Sequence, residues 1–194
     1  MKSFRIGLLA GCVALLFGET AAQAATIDYI FTGTGTGTLN GTAFNGSFTV
    51  TEVGNTSAVT GPSGGEFTNV ASTATFVIGA NTGTFTGATN EVIDNTSAPG
   101  YIGFAQFPAV SVESTTNSVF ETYQLATALP LTIGAPSVAP ATYSTNLGDL
   151  DFTTITALSF QAVIPSAVPE PASMLLLGTA LFGVGVIRRR RHAA

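Results

Sequence analysis

Residues 27–51 constrain the fold more tightly than any other part of the chain. Asn40-Gly41 sits between two runs in which hydroxylated or small residues alternate with apolar ones. Both central residues of a two-residue hairpin turn need positive φ, which asparagine and glycine adopt at least cost, so the pattern predicts a β-hairpin. Placing Leu39 opposite Thr42 and counting outward pairs Phe31 with Val50, Gly33 with Phe48, Gly35 with Gly46 and Gly37 with Phe44 on one face. The other face collects Thr32 with Thr49, Thr34 with Ser47, Thr36 with Asn45 and Thr38 with Ala43. A slip of one residue would mix the two sets, so turn chemistry and hydrophobic pattern agree on register. The inner glycines leave room for the phenylalanine rings across the strand, which shield the bare backbone. Phe44 and Phe48 are therefore expected in the core.

The same chemistry continues to residue 164. Residues 26–164 contain 28 threonines among many Gly, Phe, Val and Ile, and no 12-residue stretch carries a helical period. That composition predicts an all-β domain. A second hairpin is expected about Ala80-Asn81, with Phe76 opposite Phe85, Ile78 opposite Gly83, and Val77 opposite Thr84. Further strands are expected at Glu66–Val70 and at residues 101–104, 119–125 and 158–164, separated by Pro- and Gly-containing turns. Roughly eight short strands at this spacing point to an antiparallel β-sandwich, of which a jelly roll is one form. Gly33-Thr34-Gly35-Thr36-Gly37 lacks the following helix and the spacing of a phosphate-binding loop, so it reads as a threonine-faced strand.

Charge narrows the function classes. All six basic residues lie outside the domain, at Lys2, Arg5, Arg188, Arg189, Arg190 and Arg191, and residues 25–169 hold no Lys, Arg, His or Cys. Against this stand nine carboxylates, Asp28, Glu52, Glu66, Glu91, Asp94, Glu113, Glu121, Asp149 and Asp151, giving a formal charge near −9. No internal ion pair can form, and no cation is available for a phosphate backbone, which excludes ordinary nucleic-acid binding. The same absence removes most nucleophile–base pairs and oxyanion stabilisers, so no catalytic residue is assigned and the domain reads as non-enzymatic. No cofactor is implied. Asp149 and Asp151 are the one close acidic pair and, with Asn146, a weak calcium candidate; the ligand spacing of an EF-hand loop is missing, and no metal site is assigned. On a strand both carboxylates would share one face as solvated charges.

The ends read as targeting segments. Lys2 and Arg5 precede an apolar run of about a dozen residues, too short to span a bilayer, and Ala22-Gln23-Ala24 offers small residues where a signal peptidase cuts. Residues 1–24 are thus expected to be a signal peptide. Leu9-Ala10-Gly11-Cys12 resembles a lipobox, but cutting there would leave apolar residues 13–17 at the new terminus. Beyond the β-domain, residues 25–164, come a proline spacer at 165–171 and an uncharged stretch at 172–187. A basic tail at 188–194 follows. Sixteen residues rise about 24 Å against a hydrocarbon core of ~30 Å, so the expected single transmembrane helix is marginal. Carrying four arginines across would cost on the order of 10 kcal/mol, which keeps them cytoplasmic while the domain goes outward.

Val168, Pro169, Glu170 and Pro171, the apolar stretch and the closing arginines together resemble the PEP-CTERM sorting signal. The resemblance implies a substrate of an exosortase, a membrane protease-transferase of Gram-negative bacteria that make exopolysaccharide. Pro169-Glu170-Pro171 would be the recognition motif, presented at the outer face of the inner membrane by the span and the arginines. It further implies transient anchoring in that membrane with the domain outside the cytoplasm, then a cell-surface or extracellular location.

Two functions follow. One is a structural surface or matrix protein, associated with biofilm or exopolysaccharide; its Ser and Thr could carry sugars, while the sequons at Asn40, Asn45, Asn55 and Asn95 match short patterns that arise by chance. The alternative is a carbohydrate-binding module on a sandwich, with Tyr101 and Tyr123 as candidate platforms among four tyrosines and no tryptophan.

Overall fold

The computed structural model describes residues 24–106, 112–139 and 141–165. Among them run twelve strands: β1 (Thr26–Leu39), β2 (Thr42–Asn55), β3 (Thr60–Ser63), β4 (Glu66–Val70), β5 (Thr73–Ile78), β6 (Asn81–Thr84), β7 (Thr89–Asp94), β8 (Tyr101–Gln106), β9 (Val112–Thr116), β10 (Leu129–Ser137), β11 (Thr142–Thr145) and β12 (Gly148–Val163). The fold is an all-β antiparallel sheet. Asn40 and Gly41 take φ of 50° and 73°, the positive values the turn requires, and β1 pairs β2 in the expected register from Phe31 opposite Val50 to Leu39 opposite Thr42.

The glycines of β1 serve a second strand as well. β12 pairs with β1 on its other side, with register shifts after Thr34 and Thr36. A Cβ on Gly35 would lie 2.3 Å from the Thr154 carbonyl oxygen, and on Gly33 2.7 Å from the Phe48 ring. Gly33-Thr34-Gly35-Thr36-Gly37 is thus the middle of a central strand that both neighbours approach closely, its threonines turned outward. Thr34 and Thr36 meet the hydroxyls of Thr156 and Thr154 at 2.9 and 2.8 Å.

Hydrogen-bonded neighbours run β3-β4-β7-β8-β9-β10-β12-β1-β2-β5-β6, with β11 also on β12. This one sheet folds over on itself. Phe31 of β1 and Phe104 of β8 have three strands, β9, β10 and β12, between them along it, yet their ring centroids lie 5.2 Å apart. Phe160 of β12 packs against Phe31, Tyr29, Phe120 and Tyr123, so aromatic rings fill the space between facing layers. At one end the sheet closes. Phe85 bridges Thr145, Thr86 N donates to Ser144 O and Asn146 N to Thr84 O, which completes a ring β12-β1-β2-β5-β6-β11 and leaves β6 no free edge there. The Gln106 side chain adds to this seam, donating to Ser144 O and accepting from Ser144 N.

Several expectations are corrected. The turn of the second hairpin is Gly79-Ala80, so Phe76 faces Gly83 and Ile78 faces Asn81, two residues from the expected partners. Gly79 takes φ 58° and closes the shorter loop; the inner and outer sets are unchanged because the shift is even. Residues 119–125 form no strand: the Asn117 side chain accepts from Val119 N and caps a 3₁₀ turn, Ser118–Glu121, that buries Phe120. The strands number twelve rather than about eight. Phe48 is buried, but Phe44 is only half-buried, at the edge of the core.

The chain divides between Ile164 and Pro165, and in the second unit only Pro165 is described. Lys2, Arg5, Cys12 and Ala22 of the expected signal peptide lie outside the described residues. So do the motif Val168 to Pro171, the apolar stretch and Arg188 to Arg191. Among the described residues no helix is long and apolar enough to cross a membrane.

Candidate functional site

The strand pattern carries three kinds of polar group to places where they could act. The first lies inside. Glu52 of β2 and Glu113 of β9 are both fully buried, as is Tyr143 of β11. Glu52 continues the inner row Phe48, Val50, and stands opposite Tyr29. Burial pushes the Glu113 carboxyl up to about 8, against the Ala139 backbone and the Tyr143 hydroxyl, which pull it down. Tyr143 is pushed up by its own burial and then by the Glu113 charge. The Glu113 carboxyl and Tyr143 hydroxyl are neighbours, yet among the described residues neither completes a well-formed hydrogen bond, so the contact tempers the burial without undoing it. A buried carboxyl in a domain with no cation is a neutral acid at pH 7, and this one exposes none of its surface to solvent.

The second group is the acidic pair. Asp149 is exposed and Asp151 half-buried on the outer face of β12. Thr142 donates to Asp151 Oδ1 at 2.6 Å and Thr38 to Oδ2 at 3.4 Å. Asn146 is not brought to them: its amide oxygen accepts from Thr84 N at 2.8 Å, across the seam. Among the described residues no three His, Cys, Asp or Glu side chains gather as a metal site would need.

The tyrosines are the third. Tyr29 and Tyr143 are fully buried. Tyr123 is buried with its hydroxyl on Thr127 O, and half-buried Tyr101 points its hydroxyl at Glu66. Tyr29 joins Asn69 to Leu125 O through its hydroxyl, at 2.8 and 2.6 Å, holding two layers together. Tyr123 is therefore no platform for a sugar ring.

Glu52 was within reach of the sequence, since one more step of the hairpin count sets it inside opposite Tyr29. Glu113 was not: Val112–Thr116 is mostly hydroxylated and looks like a surface segment.

β12 ends at Val163, Ile164 packs against the core, and Pro165 is exposed. Residues 167–191 match the family model described as the PEP-CTERM protein-sorting motif, a span that includes Val168, Pro169, Glu170, Pro171 and the four arginines. No curated protein matches the chain, and no solved structure does. The segment beyond the β-domain is what identifies the molecule: this chain is a protein that carries a PEP-CTERM sorting motif, at residues 167–191.

Proposed function

We propose that this protein is an exported, non-enzymatic β-domain of the bacterial surface or extracellular matrix, processed at its PEP-CTERM tail by an exosortase. The observation that carries the reading is the motif match at residues 167–191. The position of the domain end supports it. The core residue nearest the motif is Ala162, with Ile164 packed against it, so a cut near residues 168–171 removes nothing from the sheet. The domain supports a structural role, because the carboxylates and tyrosines whose side chains are described are either at least partly solvated or buried in the core. Lys2, Arg5 and the signal peptide send the chain outward, residues 172–187 hold it in the inner membrane, and Arg188 to Arg191 stop it there.

Intact-mass spectrometry of the protein recovered outside the producing cells tests this. The expected species lacks residues 172–194. Changing Pro169 and Glu170 to Ala leaves a membrane-bound precursor, and replacing the four arginines by Ala also blocks processing. A main extracellular species that still carries the arginines overturns the reading in favour of a plain anchor.

A further inference from the structure

The closed ring has a mouth where three turns meet: Asn40-Gly41, Gly79-Ala80 and Asn146-Leu147. Two adjoining clefts open there, of about 310 and 440 Å³, and both have Phe44, Ile78 and Asn81 in their walls. The space exists because Gly46, between Phe44 and Phe48 on the inner side of β2, faces another glycine, Gly35. A Cβ on Gly46 would meet nothing within 4 Å. Phe44 is held from below, 2.8 Å from where a Cβ on Gly37 would lie, and edge-on to Phe152 at 5.8 Å. Its ring is half-exposed at the lip. Among the described residues only Phe44 and Tyr101 are aromatic and not buried, and Tyr101 lies away from both clefts.

Around that ring the lining is uncharged, with Leu39, Ile78 and Leu147 set among the amides and hydroxyl of Asn40, Asn81 and Thr42. Thr42, in the same row of β2 as Phe44, and Asn81, opposite Ile78, are exposed, and neither has its side chain committed to a hydrogen bond within the described residues; Asn45 and Ser47 face outward with Thr36 and Thr34. An amide both donates and accepts, which suits a ligand made of hydroxyls, and an aromatic face suits the C–H face of a sugar ring. A purely apolar ligand would leave these amides without partners at a cost. An anion would meet a domain with nine carboxylates and no cation. Residues 42–47 of β2 run past its last pair with β5, Phe48 opposite Ile78, so a peptide adding as a strand would take that backbone edge, and substitutions of the Thr42 and Asn81 side chains would leave its binding unchanged. Barrel mouths are favoured places for ligand sites.

We propose that this mouth binds a neutral polysaccharide, with Phe44 as the stacking platform and the Asn81 amide and Thr42 hydroxyl reading its hydroxyls. The site is weak singly and gains from repeats of polymer and protein. It does not depend on how the tail is processed, so either reading can fail alone.

The test is affinity gel electrophoresis of the full chain in a non-ionic detergent, through gels holding hydroxyethyl cellulose, galactomannan, dextran or alginate. The expected result is retardation by at least one neutral polymer and none by alginate. Phe44→Ala and, separately, the Thr42→Ala/Asn81→Ala pair weaken it about tenfold, while Phe44→Trp keeps it. The paired variant changes only exposed side chains, so it decides the matter even if Phe44→Ala loosens the ring. Migration unaffected by every neutral polymer, retardation by alginate alone, or retardation unchanged in the paired variant overturns the proposal.

Discussion

Raising the pH should loosen this domain, and Glu113 is the reason. The carboxyl is fully buried among β8, β9 and β11, with Tyr143 beside it, and no Lys, Arg or His exists in the domain to neutralise it. Burial raises it from the ordinary 4.5 to about 8. Between those values the folded state holds a proton that the unfolded chain has released. Stability is therefore full below pH about 4.5 and falls as pH climbs through about 8. At about 1.4 kcal/mol per pH unit, the whole interval is worth on the order of 5 kcal/mol, and the part lost by pH 7 on the order of 3 kcal/mol. Acid, in contrast, breaks no ion pair and relieves self-repulsion, so moving from pH 7 to 4 strengthens the fold while solubility drops near the isoelectric point of about 4.6. Urea titrations from pH 4.5 to 8.5 read this directly. With m of roughly 1–3 kcal/mol/M, the midpoint should fall by about 1 M or more over the range. Glu113→Gln, the same shape without the ionisable proton, should be much flatter and overtake the native protein at high pH. A native midpoint independent of pH, or a Gln variant with the native slope, refutes the argument.

Phe48→Ala should cost about 3–5 kcal/mol, since the ring is buried against Phe152 and covers Gly33, whereas exposed Thr34→Ala should stay within about 1 kcal/mol. Equal losses in urea titrations would contradict the two-faced hairpin. Gly35→Ala drives a methyl into the Thr154 carbonyl and should cost on the order of 3 kcal/mol, while Gly41→Ala meets no neighbour and should cost only about 1 kcal/mol for its positive φ. Thermal melts of the two variants check the order, and a Gly41 variant as damaged as the Gly35 one would show that β12 does not press on β1.

What was legible in the sequence was local. The Asn40-Gly41 turn and period-two alternation set the β1–β2 register residue by residue, because one slip would expose every Phe. The second hairpin was expected about Ala80-Asn81, but the turn sits one residue earlier, where Gly79 supplies positive φ. β10 went unseen because Pro130 and Pro136 read as breakers, yet Pro130 falls in the irregular stretch between the Leu129 and Thr132 pairs with β12, and Pro136 stands opposite Thr115 in a ladder of three pairs with β9. β11 and the first half of β12 form a local hairpin, Thr142–Thr145 against residues 148–151, but it is short and mostly polar, and its other partners, β1 and the seam to β6, are remote and leave no mark in local pattern. The mouth beside Phe44 was hidden for the same reason, since it is built from three turns distant in the chain. The sorting motif, by contrast, is linear chemistry read by an enzyme from an extended chain, and it needed no fold to be recognised.

Fold and tail are linked through β12. This strand pairs with β1 from Asp28 opposite Val163 to Leu39 opposite Leu150, and it also carries β10 and β11. The central pair of the sheet thus joins the two ends of the described domain, and neither the folded-over layers nor the closed ring exists without it. Pairing so distant in sequence is slow, because the loop must close before any contact rewards it. Until then β1 and β2 stand as an open hairpin with an unpaired edge and bare glycines, the form most prone to pair with another copy. Under the proposed function the tail holds each precursor in the membrane while residue 163 clears it, separate from its neighbours. A cut that follows anchoring releases a domain whose last strand is already available, which is a physical reason for placing the sorting segment directly after the strand on which the fold depends.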